Sequence, residues 1–462
     1  MNKVYHAAEC KAVAVDAIEP GESLRPGASG ALLDQSIKLS TVGLEDYFYT
    51  GWHPELVDLL VVAAAVEYCD LSVRRPAWGW ARSFNLRVAV HELHRWQNDE
   101  VKAALEDTLS FLTGDRWSIS FSQRRNAVEK TKQGTLSLAV PDRIVMPYSD
   151  GLDSRAVAAL VESEEKSGLV RVRLGTKGAD ARSKNPNERR FKTVPYEVRL
   201  ERRQRVESSA RSRGFKFAVI TGIAAVLAGV ERIVVTESGQ GALGPVLVVT
   251  GQAYPDYRVH PAFTRRVEAL FAALVGKDLR FEYPRIWSTK GETIAAANAL
   301  PYAPSWATTR SCWQDSRQVS FEGRRRQCGI CAACMLRRMS MHRARIDEAS
   351  SAYIWEDLSA SDIRSGAVEG FTHMSAALEE YAIAGILHLD HLAALANSDI
   401  HRSVVARIAH EVAGALRIRS EQAEVYLIGL LARHREEWLS FQASLGSQSF
   451  VSKLALVSPW QR

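Results

Sequence analysis

The chain has 462 residues, which is enough for two to four domains at about 100–200 residues each. Its apolar fraction of 46% and charged fraction of 24% are those of an ordinary soluble globular protein. The longest apolar run, residues 217–230, is shorter than the ~20 residues that span a bilayer, and the first fifteen residues contain no signal-peptide core. We therefore expect a cytoplasmic protein that does not enter a membrane.

The net charge of +6 is unevenly distributed. Residues 171–216 contain fifteen Lys and Arg but only five Asp and Glu. Such a basic stretch can attract the phosphates of ATP or RNA, or an acidic protein. It can equally be a solvated loop, and the sequence alone leaves both interpretations open.

The first 141 residues predict a small α+β extension. Residues 1–40 contain Gly, Pro and Ser and are expected to be loosely ordered. Helical patterns at 54–68 and 98–115 then alternate with strand patterns at 84–92 and 116–122. The histidine pairs "HELH" (91–94) and "HLDH" (388–391) do not form a zinc signature, so we interpret them as ordinary surface or core residues.

From residue 142 the pattern changes to alternating strands and helices, which favours a parallel α/β sheet. The predicted strands are 143–148, 168–173, 231–236 and 245–250, and the predicted helices are 153–164, 214–229, 261–275 and 290–299. We expect this core to end at 310, with a cysteine-rich unit over 311–346 and a helical region over 347–462.

A small polar turn joins the first core strand to its helix in "VMPYSDGLDSRAVAALV", residues 145–161. A Ser- and Gly-rich turn at a helix start offers backbone N–H groups and hydroxyls to an anion. Asp150 and Asp153 would repel phosphate unless Mg²⁺ lies between them. The turn therefore predicts a site for pyrophosphate and metal. The alternative is a plain helix cap by Ser149 or Asp153.

Four of the six cysteines lie within 23 residues, at Cys312, Cys328, Cys331 and Cys334. Four thiolates at this spacing fit a closed, structural Zn²⁺ site. Three alternatives stay open: a metal-free buried cluster, a redox pair of Cys328 and Cys331, and an iron–sulfur cluster.

The turn resembles the S-G-G-x-D-S motif of PP-loop ATP pyrophosphatases, with Asp150 in place of the first glycine. Together with the pattern S-C-x(n)-C-G-x-C-x-x-C-x-x-R, it resembles the 7-cyano-7-deazaguanine synthase (QueC) family. "AYPDYR" (253–258), "STKGETI" (288–294) and "SARSRGFKF" (209–217) are similar to segments of that family. The resemblance covers roughly residues 143–345 and implies an adenine-nucleotide alpha-hydrolase-like fold.

The resemblance also implies the chemistry: ATP, with Mg²⁺, adenylates the carboxylate of 7-carboxy-7-deazaguanine, ammonia attacks to give an amide, and a second adenylation dehydrates the amide to a nitrile. Glu237 and Asp256 would accept the N–H donors of the deazaguanine; their alternatives are a helix-dipole partner and a helix cap. The implied catalytic residues are Ser149, Asp153, Lys290 and Arg213. The implied ATP-binding residues are Ser149, Asp150, Gly151, Leu152, Asp153, Ser154 and Arg211. The implied substrate-binding residues are Glu237, Asp256 and Arg258.

The extension before residue 142 resembles QueC-like proteins of bacterial antiviral defence operons, in particular the Qat type. That resemblance implies transfer of the acyl group to the N-terminus of an operon-encoded protein partner. Separately, we consider a homodimer as one possible assembly of this chain. Two alternatives are a synthase that uses ammonia to make the free nitrile or amide, and a tRNA-binding thiolase. A non-catalytic nucleotide-binding scaffold is a further alternative.

Overall fold

The computed structural model describes most of the chain. Asp150, Cys10 and residues 174–193 of the basic stretch lie outside the described residues. The described residues are 12–40, 44, 53–77, 79–129, 143–149, 151–164, 168–173, 194–250, 253–314, 318–397, 399–457 and 459.

Strands and helices alternate in the first part of the chain. They are β1 (Val13–Ala17), β2 (Ser29–Gly30), β3 (Ile37–Leu39), α1 (Pro54–Ser72), β4 (Ser83–Val90), α2 (Leu93–Trp96), α3 (Asp99–Thr113), β5 (Arg116–Gln123), β6 (Arg143–Tyr148), α4 (Leu152–Glu164), β7 (Gly168–Arg173), β8 (Tyr196–Val198), α5 (Arg213–Ala228) and β9 (Arg232–Val234).

The later part is mainly helical, as the sequence predicts for residues 347–462. Its elements are α6 (Gly239–Ala242), α7 (Gly244–Leu247), α8 (Pro261–Val275), β10 (Arg280–Glu282), α9 (Lys290–Asn298), β11 (Ser320–Phe321), β12 (Arg324–Arg325), α10 (Ala332–Ala344), α11 (Ala376–Ala394), α12 (Arg402–Leu416), α13 (Ser420–Leu445) and α14 (Phe450–Leu454). Within the described part of the chain, the helices are too short or too polar to span a bilayer.

The chain forms two compact units, each built from three separate segments. The first contains Met1–Pro147, Val172–Ile233 and Phe263–Phe281. The second contains Tyr148–Arg171, Val234–Ala262 and Glu282–Arg462.

The N-terminal sheet of the first unit has the strand order β2-β1-β4-β5, and every neighbouring pair is parallel. The prediction of an α+β extension is therefore wrong, because parallel neighbours need helical crossovers such as α1 and α3. The expectation of loose order over residues 1–40 is also wrong for the described residues 12–40. Strand β1 lies there, paired in register with β4 from Val13 to Ala17.

Helix α1 is buried on nearly all of its faces, from Leu56 to Leu71. It packs against α5 of the same unit, and Glu67 pairs with Lys216 at 2.8 Å. Strand β3 pairs with β8 in antiparallel register, with Ile37 opposite Val198. The N-terminal residues and the segment 196–228 therefore share one core.

The alternating pattern after residue 142 is largely confirmed. Strands β6 and β9 pair in parallel through Val145 and Ile233, and α4, α5, α8 and α9 form within two residues of their predicted bounds. The predicted strand 245–250 is wrong, because the segment begins with the short helix α7. Pro245 lies in the first turn of that helix, where its missing N–H costs nothing.

The second unit has a core that includes the cysteine-rich segment and the C-terminal helices. Its buried residues include Cys328, Ile330 and Met335 before residue 347, and Trp355, Ile386 and Trp438 after it. This core places the cysteine-rich segment directly against α11 and α13.

Candidate active site

The turn after β6 is held by hydrogen bonds among its own side chains. The Gly151 N–H donates to Ser149 Oγ at 3.2 Å, and Ser149 Oγ lies 3.0 Å from Ser154 Oγ. A Cβ on Gly151 would lie only 2.9 Å from Ser149 Oγ, so the turn has little room for a side chain there. Asp150 lies outside the described residues.

Helix α4 begins at Leu152 and anchors the turn through its apolar face. Leu152 and Ala156 are buried in a cluster with Ile294 and Ala297 of α9. Trp306 and Met341 belong to the same cluster. The turn is therefore attached to the helix that carries Lys290.

Asp153 and Lys290 form an ion pair of 2.6 Å between Oδ2 and Nζ, and their side chains are only 15% and 8% exposed. Burial alone would lower the pKa of Lys290, but the charges of Asp153 and Glu237 raise it above its ordinary value. Asp153 Oδ1 is buried and has no hydrogen-bond partner among the described residues. A buried carboxylate oxygen in this state fits a ligand of Mg²⁺.

Lys290 is the first residue of α9. Thr289 caps this helix by accepting from the Glu292 N–H, and the Glu292 carboxylate accepts from the Thr289 N–H at 2.8 Å. The T-x-x-E pattern of this capping box is readable in the sequence. The cap fixes where the Lys290 side chain leaves the helix.

Glu237 is a half-buried carboxyl group close to these charges. Burial first, and the charge of Asp153 second, raise its pKa to about 7, against the lowering effect of Lys290 and Arg258. A Cβ on Gly241 would lie 2.3 Å from Glu237 Oε2. Only glycine at 241 therefore leaves the carboxylate in this position.

Asp256 is engaged by Arg258, two residues later. The Arg258 Nε lies 2.9 Å from both carboxylate oxygens of Asp256. The sequence predicts that both residues bind the substrate, and the structure adds that they already form a bidentate pair.

Arg211 and Arg213 belong to the first compact unit, whereas the other described residues of the predicted site belong to the second. Arg211 is buried, and its guanidinium lies 5.0 Å from the centre of the Trp80 ring. Arg213 lies 4.9 Å from the Phe217 ring. Their contact with ATP stays a prediction.

The four cysteine sulfurs lie within 4.8 Å of one another. A tetrahedral Zn²⁺ with Zn–S bonds of about 2.3 Å places its sulfurs about 3.8 Å apart, and Cys328 and Cys334 are 3.7 Å apart. Hydrogen bonds from the other three thiols lower the pKa of Cys312, which favours its thiolate form. The cluster is therefore compatible with zinc.

Arg337 follows the last cysteine and is 1% exposed. Its guanidinium donates to the Glu348 carboxylate at 2.6 Å and to Thr309 Oγ1 at 2.8 Å. The arginine of the motif C-x-x-R therefore links α10 to the segment before Cys312, within the same unit.

Three polar residues close to Lys290 were not predicted from the sequence. They are Gln240 at α6 and, on α13, His434 and Glu437. In the sequence, a histidine and a glutamate three residues apart on a long helix are typical of its solvent-exposed face. Only the packing of α13 reveals that both are buried.

The family model described as Queuosine biosynthesis protein QueC matches residues 218–345. This match supports the QueC family. It includes Glu237, Asp256, Arg258, Lys290 and the four cysteines, and it begins after the turn at 149–154. No curated protein and no solved structure shows significant similarity to the chain. The Qat-type resemblance and the PP-loop assignment stay predictions.

Proposed function

We propose that the chain adenylates the carboxylate of 7-carboxy-7-deazaguanine with ATP and passes the activated acyl group to an amine. The supporting observation is the 2.6 Å ion pair of Asp153 and Lys290, which connects the turn at 149–154 to the segment that matches the QueC family. A carboxylate is a poor acyl donor, whereas the acyl adenylate that forms as pyrophosphate leaves is a mixed anhydride, which gives an amide and AMP when an amine attacks. Such a reaction needs positioning and charge stabilisation more than a protein nucleophile.

The turn at 149–154 would bind the departing pyrophosphate, with hydroxyls from Ser149 and Ser154. Asp153 would hold Mg²⁺ through its unpartnered Oδ1, and the metal would neutralise phosphate charge. Lys290 would stabilise the charge that develops during adenylation.

Glu237 is the better candidate for the two N–H donors of the deazaguanine ring. Both residues are half-buried, but the Asp256 carboxylate is already engaged by Arg258. Asp256 would then offer hydrogen-bond acceptors, and Arg258 hydrogen-bond donors, beside the ligand.

The acceptor in this proposal is the N-terminus of a partner protein, within an antiphage defence system of the cytoplasm. The extension before residue 142, which resembles that of Qat-type proteins, supports this choice. A synthase that makes the free nitrile or amide from ammonia is the alternative. The basic stretch at 171–216 keeps a tRNA-binding thiolase as a further candidate.

The first test measures AMP and pyrophosphate in a mixture of the protein, ATP, Mg²⁺ and 7-carboxy-7-deazaguanine. Ser149→Ala and Asp153→Ala should abolish pyrophosphate release, because they remove the predicted phosphate and Mg²⁺ contacts. We expect a loss of at least about 100-fold.

Ser163→Ala is the matched control, since Ser163 is an exposed residue of α4 that donates to the Leu160 carbonyl. It should keep wild-type turnover. Wild-type turnover in both the Ser149 and Asp153 variants would contradict the proposed role of the turn.

Mass spectrometry of co-expressed neighbouring proteins separates the acceptors. A mass gain at a partner N-terminus supports the protein conjugate, and a small-molecule nitrile supports the ammonia-dependent synthase. Sulfur incorporation into tRNA would favour the thiolase. A chain that binds ATP but never cleaves it would be a scaffold.

A further inference from the structure

Two buried side chains of α13 connect to the start of α9, His434 through Gln240 and Glu437 directly through Thr289. His434 is 0% exposed and Glu437 is 4% exposed. Residues three apart on a helix share one face, so both point to the same neighbour. Helix α13 lies outside the segment 218–345 that matches the QueC family.

His434 reaches Lys290 through Gln240. The Lys290 N–H donates to Gln240 Oε1 at 2.7 Å, and Gln240 Nε2 donates to His434 Nδ1 at 2.8 Å. His434 Nε2 lies 2.8 Å from the Leu389 carbonyl, which can only accept. Nε2 therefore carries a proton. Because Gln240 Oε1 accepts from the Lys290 N–H, the Gln240 amide nitrogen faces Nδ1, which must be the unprotonated acceptor of a neutral imidazole.

Glu437 makes a second connection to the same helix start. Thr289 Oγ1 donates to Glu437 Oε1 at 2.5 Å. A Cβ on Gly291 would lie 3.0 Å from the same oxygen and 2.6 Å from Arg343 Cγ. Helix α9 therefore begins in a closely packed site formed partly by α13.

The connection matters because the first N–H groups of a helix have no partner within that helix. Thr289 is 0% exposed and Lys290 is 6% exposed, so water cannot easily satisfy the Lys290 N–H. Gln240 supplies the missing acceptor. The Lys290 side chain extends from this fixed point to Asp153.

We propose that His434 and Glu437 are positioning residues: helix α13 holds the start of α9 so that Lys290 stays on Asp153. Their benefit for turnover rests on the proposed adenylation. Their effect on the position of the Lys290 side chain does not depend on that function and can be measured without substrate.

The first measurement is amide hydrogen exchange of the full wild-type chain, resolved at Lys290. The first amides of a helix usually exchange fast, but here the Lys290 N–H should be protected at least about 100-fold. An unprotected Lys290 amide in the folded wild-type protein would overturn the proposal. This measurement needs no variant, so it holds even if a variant fails to fold.

The second measurement compares His434→Leu with His434→Asn. Leucine removes the acceptor at the Nδ1 position, whereas asparagine can return one. His434→Leu should raise reductive methylation of Lys290 about three-fold or more, as read by mass spectrometry, and His434→Asn should stay closer to wild type. His410→Leu is the matched control, because His410 is exposed on α12. A folded His434→Leu protein with wild-type Lys290 labelling would contradict the proposal.

The third measurement is pyrophosphate release from ATP and 7-carboxy-7-deazaguanine. A misplaced Lys290 should lower kcat about ten-fold or more in His434→Leu and leave KM for ATP within about three-fold. If the wild type releases no pyrophosphate, the proposed function fails while the exchange and labelling results still test the positioning. An equal loss in kcat and in folded fraction would show a merely structural role.

Discussion

At the scale of single residues, the candidate site combines carboxylates whose surroundings differ. Asp153 is paired with Lys290, and Asp256 is paired with Arg258. Glu237 lies beside both pairs, and its pKa is raised to about 7. Glu237 therefore changes charge near neutral pH.

We expect substrate binding to follow the ionisation of Glu237. Only the ionised carboxylate can accept both N–H donors of the ring, so affinity should increase as pH rises through 7. A group with a pKa near 7 predicts about ten-fold tighter binding of 7-carboxy-7-deazaguanine at pH 8 than at pH 6. Calorimetric Kd values at the two pH values measure this difference.

Glu237→Gln should weaken binding and remove most of this pH dependence, because the amide does not titrate. Glu231→Gln, at an exposed position, should behave like the wild type. An unchanged pH profile in Glu237→Gln would exclude Glu237 as the titrating contact.

At the scale of elements, the cysteine unit supports the helices around it. The Cys328 carbonyl accepts from the Trp355 N–H at 2.9 Å, and α10 begins directly after Cys331. A Cβ on Gly385 of α11 would lie 2.8 Å from the Ala332 amide nitrogen. The cysteine loop and α11 are therefore in backbone contact, and a change in the loop must affect α11.

Cys331→Ser should lower the zinc content of the purified protein and its thermal stability together. The variant removes one of four thiolate ligands, and structural zinc sites contribute directly to folding. Elemental analysis and the Tm measure the two effects. Ser149→Ala should keep the wild-type zinc content, and a fully zinc-loaded Cys331→Ser protein would contradict the four-ligand site.

At the scale of the whole molecule, the first compact unit contains residues from before and after position 141. Asp70 accepts from the Ser212 N–H at 2.7 Å, and it also pairs with Arg82 at 2.7 Å. Arg75 and Arg82 both pair with Asp115 at 2.8 Å or less. This buried network holds the segment that leads into α5, and breaking such networks is costly.

A chain without residues 1–141 should therefore fail to fold as a soluble protein. The deletion removes α1, which packs on α5, and β3, which pairs with β8. Size-exclusion chromatography and circular dichroism would measure the result. A monodisperse, folded fragment of 142–462 would instead favour residues 1–141 as a separate domain, as the sequence predicts.

The sequence by itself determined the local features. Apolar periodicity located α4, α5, α8 and α9, and the spacing of the four cysteines predicted their cluster, because these signals depend on neighbours along the chain. The resemblance of the sequence to the QueC family also made Ser149, Asp153 and Lys290 candidate site residues.

The tertiary structure alone decided which distant groups meet. The parallel pairing of β1 with β4, the pairing of β3 with β8, and the hydrogen bonds of His434 with Gln240 and of Glu437 with Thr289 join residues at least 60 positions apart. Such contacts depend on how whole elements pack, and a short sequence window contains no record of that packing.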